Sequence, residues 1–352
     1  MGLVTERRDD LVRTTFAAMG TTVEVVVADG EAAEPARARH VPGDTGGERL
    51  PGGTGVERLL DEARRLVADW ERRLSRFHPD SDISRINAAA GRWVPVHPGT
   101  MEVLRLAEDA RRATGGWYHP GLGRAMRAAG YGVSFSELTP APPLQRSGPT
   151  PWGEWPEPAP HSGDLALPVD RTAYELDERA LRVKVVEGSE IDLGGIAKGW
   201  IVEQVASWLR GMGLRQFIVN AGGDMVCVGL CGERPWRVGI DDPFGGTAPA
   251  LTLDVWDLAL ATSGTYRRRW QAGDGIVHHL MDPRTGRPAQ TDVVSCTVLH
   301  ERLVVAEVLA KVALLLGRDA GTAWLAGQPQ RGWVMIAADG EVRHAWTGRK
   351  SG

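Results

Sequence analysis

The chain has 352 residues, 42% hydrophobic and 24% charged, an ordinary balance for a soluble globular protein long enough for one large core or two lobes. A formal net charge of −4 argues against a general nucleic-acid binder, so any anion site has to be local. Cys227, Cys231 and Cys296 are too few and too irregularly spaced for a disulfide framework or a four-cysteine zinc site.

The amino-terminal stretch MGLVTERRDDLVRTTF has no apolar core of signal-peptide length, and no later apolar run is long enough to span a membrane. A cytoplasmic protein is expected. TTVEVVVA (21–28) predicts a strand. Residues 29–54, rich in Gly, Pro and charge, predict a flexible insertion, since they bury too little apolar surface to order themselves. An amphipathic helix follows over 56–77, with Leu59, Leu60, Ala63, Leu66, Val67 and Trp70 on one stripe. Further helices are expected over 101–114, 196–212 and 304–316, and strands over 181–186, 217–223, 236–240, 250–256, 259–264 and 294–299. A second insertion, 137–167, carries prolines that exclude regular helix or central strand. The strand runs group as hairpins rather than alternating strictly with helices. That favours an α+β fold of mixed or antiparallel sheets with packed helices over a doubly wound parallel sheet.

The chemistry-bearing residues are concentrated in four turns and one helix. EIDLGGIAKG (190–199) puts Asp192 before two glycines and a helix start; Gly194 and Gly195 admit a ligand to the backbone, and free N–H groups there suit an anion. Lys198 lies at the wrong end of the helix dipole for a cation unless it faces a phosphate; the alternative is a strand-turn-helix with a solvated lysine. VNAGGD (219–224) ends in Asp224, and ATSGTYRRRW (261–270) carries three arginines that are either solvated or phosphate-facing. In HHLMDPRTGRPA (278–289), adjacent histidines on a strand point to opposite faces, so one functional histidine is expected rather than a two-histidine zinc site. The last apolar helix carries Glu307 and Lys311 four residues apart on one face, either a structural ion pair or part of a site.

Together these stretches resemble the FAD:protein FMN transferase, or ApbE, family. The resemblance runs through AMGTTVEV (18–25), LSRFHPDSDISRIN (74–87), DLGGIAKG (192–199), VNAGGD, VGIDDP (238–243), ATSG (261–264), HHLMDPRTGRPA and the final apolar helix, so that one domain spans the chain with the two insertions outside it. It implies an ApbE-like fold with a flavin site in a cleft between two lobes. The activity it implies is cleavage of the FAD pyrophosphate with a divalent metal, usually Mg2+, and transfer of FMN through a phosphoester to a threonine or serine of an acceptor flavoprotein, with AMP released. Met19, Phe77, Asp192 and Lys198 fall at FAD-contacting positions. Trp117, Tyr118 and His119 fall in a flavin-lining segment, His119 replacing an acid, and His279 and Met281 fall in the flavin-proximal strand. The carbonyl of Gly195 matches a metal ligand.

The final helix departs from the family pattern. There it reads like Ala-Asp-Ala-Leu-Ala-Thr-Ala, with Asp and Thr giving oxygens to the metal; here Glu307 and Lys311 stand in those places. Glutamate still offers an oxygen, but a charged lysine has donors and no acceptor. Three arrangements are open. Glu307, the Gly195 carbonyl and the FAD phosphates hold the metal while Lys311 pairs with a phosphate; Lys311 replaces the metal; or FAD binds without turnover. The preference of a hard cation for phosphate oxygens favours the first. For the base that deprotonates the acceptor hydroxyl, His279 is expected, with Asp282 and Asp224 as nearby carboxylates. A flavin carrier without turnover and an FAD hydrolase giving FMN and AMP are the competing functions.

Overall fold

The computed structural model describes residues 4–8, 11–28, 55–89, 91–146, 165–168, 170–272 and 275–346. The expected insertion at 29–54 lies outside the described residues, as does 147–164 of the second. The backbone of the fold is a nine-stranded sheet, antiparallel at every described pairing. Its order is Val4–Arg8, Leu11–Ala18, Thr21–Ala28, Phe217–Ala221, Asp224–Val228, Leu258–Gly264, Val293–His300, Gly332–Ala337 and Val342–Trp346. Mixed helix and antiparallel sheet is the α+β arrangement that the hairpin-like grouping of strands predicts.

Both faces of the sheet are covered. Helices Gly55–Leu74, Ala197–Gly211 and Leu303–Leu316 pack on one face over Val23, Val25, Val27, Val219 and Val298. The hairpin Trp236–Ile240 with Leu251–Val255 covers the other, burying Val26, Cys227, Leu260, Val294 and Leu299. This accounts for Val293–His300 being buried along nearly its whole length, with no polar face to alternate against. The Leu303–Leu316 helix follows it directly and is buried on almost every side, Glu307 included.

The sequence reading and the fold differ in places. The first long helix ends at Leu74, which leaves Phe77 in the turn that follows rather than on the helix. Leu11–Ala18 is a strand that the sequence reading does not mark; its inward positions are Val12, Thr14 and Phe16, and the polar Thr14 breaks the apolar alternation. It joins Thr21–Ala28 through Met19 and Gly20, at φ 54° and 64°, the doubly left-handed pair of a tight hairpin turn. Among the described residues no helix is long and apolar enough to cross a membrane.

Leu314 is fully buried beneath this sheet. Leu314→Ala should lower unfolding free energy by about 2–5 kcal/mol, measured by urea denaturation; a loss within 0.5 kcal/mol, as at an exposed position, would contradict the packing described.

Candidate functional site

Two adjoining cavities of about 500 and 430 Å3 open beside the amino terminus of the Ala197–Gly211 helix. They share Gly20, Phe135, Gly194, Lys198, Arg268, His279 and Lys311, and so form one cleft with a cationic waist. Each lies in the size range of small-molecule sites, about 300–1,000 Å3.

One lobe is aromatic. Met19, Phe77, Trp117, Tyr118, His119, Asp192, Gly195 and Met281 line it, together with Lys198, His279 and Lys311 from the waist. Its far wall is a ring cluster, with Phe77 edge-on to Tyr131 at 5.6 Å and Tyr131 stacked on Trp270 at 5.3 Å. Arg76 braces it: the guanidinium lies 4.1 Å over Phe77 and donates to Asp192 Oδ2 at 2.6 Å and to the Tyr131 carbonyl at 2.6 Å. The other oxygen of Asp192 accepts from Gly194 N–H at 2.7 Å. Asp192 is therefore committed twice within the protein.

The other lobe is lined by backbone and small polar groups: Gly222, Gly223, Asn220, Thr21, Thr262, Thr297, Asp224 and Glu307. Asp224 takes Lys198 Nζ at 2.6 Å and Thr262 N–H at 2.9 Å. Glu307 Oε2 accepts from Gly199 N–H at 2.9 Å. Burial pushes the Glu307 carboxyl up to about 7, and the charge of Asp224 adds to it.

The three consecutive arginines have three fates. Arg267 is exposed on Asp241 and the Gly222 carbonyl, Arg269 is buried and donates to the Pro142 carbonyl, and Arg268 turns to the waist, donating to the Met19 carbonyl at 3.3 Å. Lys311 enters from the opposite side. A Cβ built on Gly195 would lie 1.9 Å from Lys311 Nζ, so a larger residue there would displace the ammonium from this position. Burial draws the Lys311 pKa below its ordinary value, while Glu307 works the other way. Tyr118 lies beneath, its ring 5.8 Å from Lys311 Nζ and its hydroxyl buried without a hydrogen-bond partner among the described residues.

The two adjacent histidines do point to different surroundings. His278 is fully buried; its Nε2 donates to the Ala289 carbonyl and its Nδ1 accepts from Leu280 N–H. His279 borders both lobes, and Nδ1 is buried with no hydrogen-bond partner among the described residues. Burial holds it well below the usual imidazole range, reinforced by Arg268 and Lys311, so it is neutral at pH 7. His119 lines the aromatic lobe but spends both nitrogens on backbone, Nε2 on the Arg171 carbonyl and Nδ1 on Gly121 N–H. Asp282 borders neither lobe; it caps its own turn and pairs with Arg284, whose guanidinium lies 3.8 Å over Trp117. Sequence reasoning assigned no role to Arg76 or Tyr131 and left Arg268 undistinguished among its neighbours.

A sequence model described as the ApbE family matches residues 19–335. The chain belongs to the ApbE family. Among curated relatives, the FAD:protein FMN transferase of Treponema pallidum is 29% identical over 310 residues, covering 82% of this chain and 79% of that protein. That of Vibrio cholerae is 28% identical over 314 residues, covering 82% and 85%. The solved flavin transferase ApbE from Vibrio cholerae superposes with a TM-score of 0.70 at 24% identity over 97% of each chain, a likeness of fold.

The divalent cation implied by the ApbE resemblance would use Glu307 and the Gly195 carbonyl. The residues present do not fit it. One oxygen of Glu307 and both of Asp224 are already committed, Lys311 fills the space at Gly195, and Lys198 faces the same acids. Among the described residues no group of three or more His, Cys, Asp or Glu stands ready to hold a metal.

Burial pushes His278 down to about 3 from an ordinary 6.5. The unfolded chain therefore takes up this proton first; the stabilising contribution is full above pH 6.5 and is lost as pH falls toward 3. Urea unfolding between about pH 6.5 and 5 should show a loss approaching about 1 kcal/mol per pH unit that His278→Gln lacks. Equal slopes for the two proteins would contradict it.

Proposed function

We propose that this chain is an FAD:protein FMN transferase, with the ApbE domain as its single catalytic unit. It binds FAD across the two lobes and passes FMN to a threonine or serine hydroxyl of an acceptor flavoprotein, releasing AMP. The observation that carries this reading is the waist, where Lys198, Arg268 and Lys311 surround a neutral His279 between an aromatic lobe and a lobe of glycine turns. Its relatives carry the FMN transferase name.

Phe77, Trp117 and Met281 offer apolar and aromatic surface to the flavin, and Tyr131 and Trp270 back the wall. The pyrophosphate lies at the waist, where cations meet both of its phosphates. Gly222 and Gly223, at φ 64° and 105°, keep the opposite wall bare of side chains and leave room for the rest of the nucleotide or for the incoming hydroxyl. His279, neutral and bordering both lobes, takes the hydroxyl proton. The oxygen bonds to the FMN phosphorus, the bridging P–O bond breaks, and its electron pair leaves on the AMP phosphate. Asp282 is spent on Arg284, so the base role falls to His279. Mg2+ takes no part in this route, because the donor set at Gly195 and Glu307 does not fit it.

Removing a general base costs about 10²–10⁴ in rate. His279→Ala should therefore slow acceptor-dependent AMP release from FAD by at least about a hundredfold, with FAD affinity, read by flavin fluorescence quenching, held within a few-fold. A full transfer rate in the variant would exclude the base role.

A further inference from the structure

Lys311 presents an unusual charge balance. Each acid near it is already partnered: Asp192 by Arg76 and Gly194, Asp224 by Lys198 and Thr262, Glu307 by Gly199 N–H. Lys311 itself has no ion pair and no hydrogen bond among the described residues; its Nζ lies beside Gly195 and 5.8 Å from the centre of the Tyr118 ring. Among the described residues Arg268, across the waist, donates only to the neutral carbonyl of Met19. An ammonium withdrawn from water without a hydrogen-bonded anion costs several kcal/mol; Glu307, one helical turn away, offsets part of that cost without pairing directly, and an arriving anion would offset the rest. On its helix Lys311 is flanked by the buried apolar residues Leu309, Ala310, Val312 and Ala313, with Glu307 one turn earlier on the same face.

Geometry fixes where that anion lies. Lys311 Nζ is held against Gly195, on the turn that opens the Ala197–Gly211 helix, and the side chain borders both lobes of the cleft. Two uncommitted positive charges, Lys311 and Arg268, thus match in number the two negative charges of a dinucleotide pyrophosphate. A divalent ion placed between Glu307 and Gly195 would add two more beside an ammonium, with one free carboxylate oxygen to offset them.

We propose that Lys311, with Arg268, is the resident cation of this active site, neutralising the FAD pyrophosphate in place of a divalent metal, so that substrate binding and FMN transfer need no metal ion. This inference rests on the FMN-transfer reading. In the transfer step Lys311 keeps its protons and donates hydrogen bonds to the phosphate oxygens on which charge develops. The acceptor oxygen bonds to the FMN phosphorus, the bridging bond breaks toward AMP, and the hydroxyl proton goes to His279. Preorganised donors do this work without reorganising as the charge moves.

The test is FAD affinity by flavin fluorescence quenching, in excess EDTA and again in excess MgCl2, for the wild type and three variants. The wild type should bind FAD equally, within about twofold, in both conditions. Lys311→Met should lose affinity by roughly 10- to 100-fold, the worth of charge-assisted hydrogen bonds, in both conditions. Lys311→Arg should retain most of the affinity, which separates loss of charge from loss of fold. Lys311→Thr, which offers an oxygen beside Glu307, should become magnesium-dependent. AMP release with an acceptor flavoprotein should follow the same pattern. Wild-type binding that rises tenfold or more with magnesium would overturn the metal-free site while leaving FMN transfer intact. No FAD binding in either condition would overturn both.

Discussion

The amino-terminal turn of the Ala197–Gly211 helix packs closely against the buried Leu303–Leu316 helix, and at two positions a side chain in place of glycine would push the tip of the facing side chain aside. A Cβ on Gly199 would meet Glu307 Oε2 at 2.7 Å, and one on Gly195 would meet Lys311 Nζ at 1.9 Å. This contact places an acid and a base, one helical turn apart, directly against the turn that opens the Ala197–Gly211 helix. The arrangement depends on the sheet. The Leu303–Leu316 helix is positioned by the strands Leu258–Gly264 and Val293–His300 beneath it, and the turn is held by Asp192 and Arg76. The waist of the cleft is the result.

Electrostatics then sorts the polar groups. Acids that could compete for an incoming anion's partners are satisfied within the protein, and the cations left over are Lys311 and Arg268. His279 sits among these charges and is kept neutral by burial and by its cationic neighbours. Elsewhere charge has a plainer use. Arg318 joins Asp292, Asp339 and Glu341 at the start of the Arg318–Ala326 helix, a network that ties the last helix to the sheet edge and has no part in the cleft.

Much of this was legible in the sequence. The strand and helix runs that carry the site fall where periodicity and glycine punctuation place them, and opposite faces for His278 and His279 follow from the strand pleat. The glycine turns and the Glu307–Lys311 spacing also pointed to one region. Long-range pairing was not legible. Nothing local in LSRF says that Arg76 meets Asp192, and nothing in YRRR says which arginine turns inward; both depend on where the sheet brings distant turns. His119 looks available in sequence but is consumed by backbone once Arg171 and Gly121 close around it. Asp282 likewise satisfies its own turn. The hairpin from Leu11 to Ala28 was half visible because Thr14 occupies an inward position where an apolar residue would have announced the strand.

The central claim is that the waist holds the pyrophosphate of FAD against side-chain cations. A crystal structure of the protein with FAD, grown without divalent metal, tests it most directly. Phosphate oxygens should lie about 3 Å from Lys311 Nζ and from the Arg268 guanidinium, with the flavin against Phe77 and Trp117. Phosphates lying away from the waist, with Lys311 turned onto Glu307 instead, would contradict it.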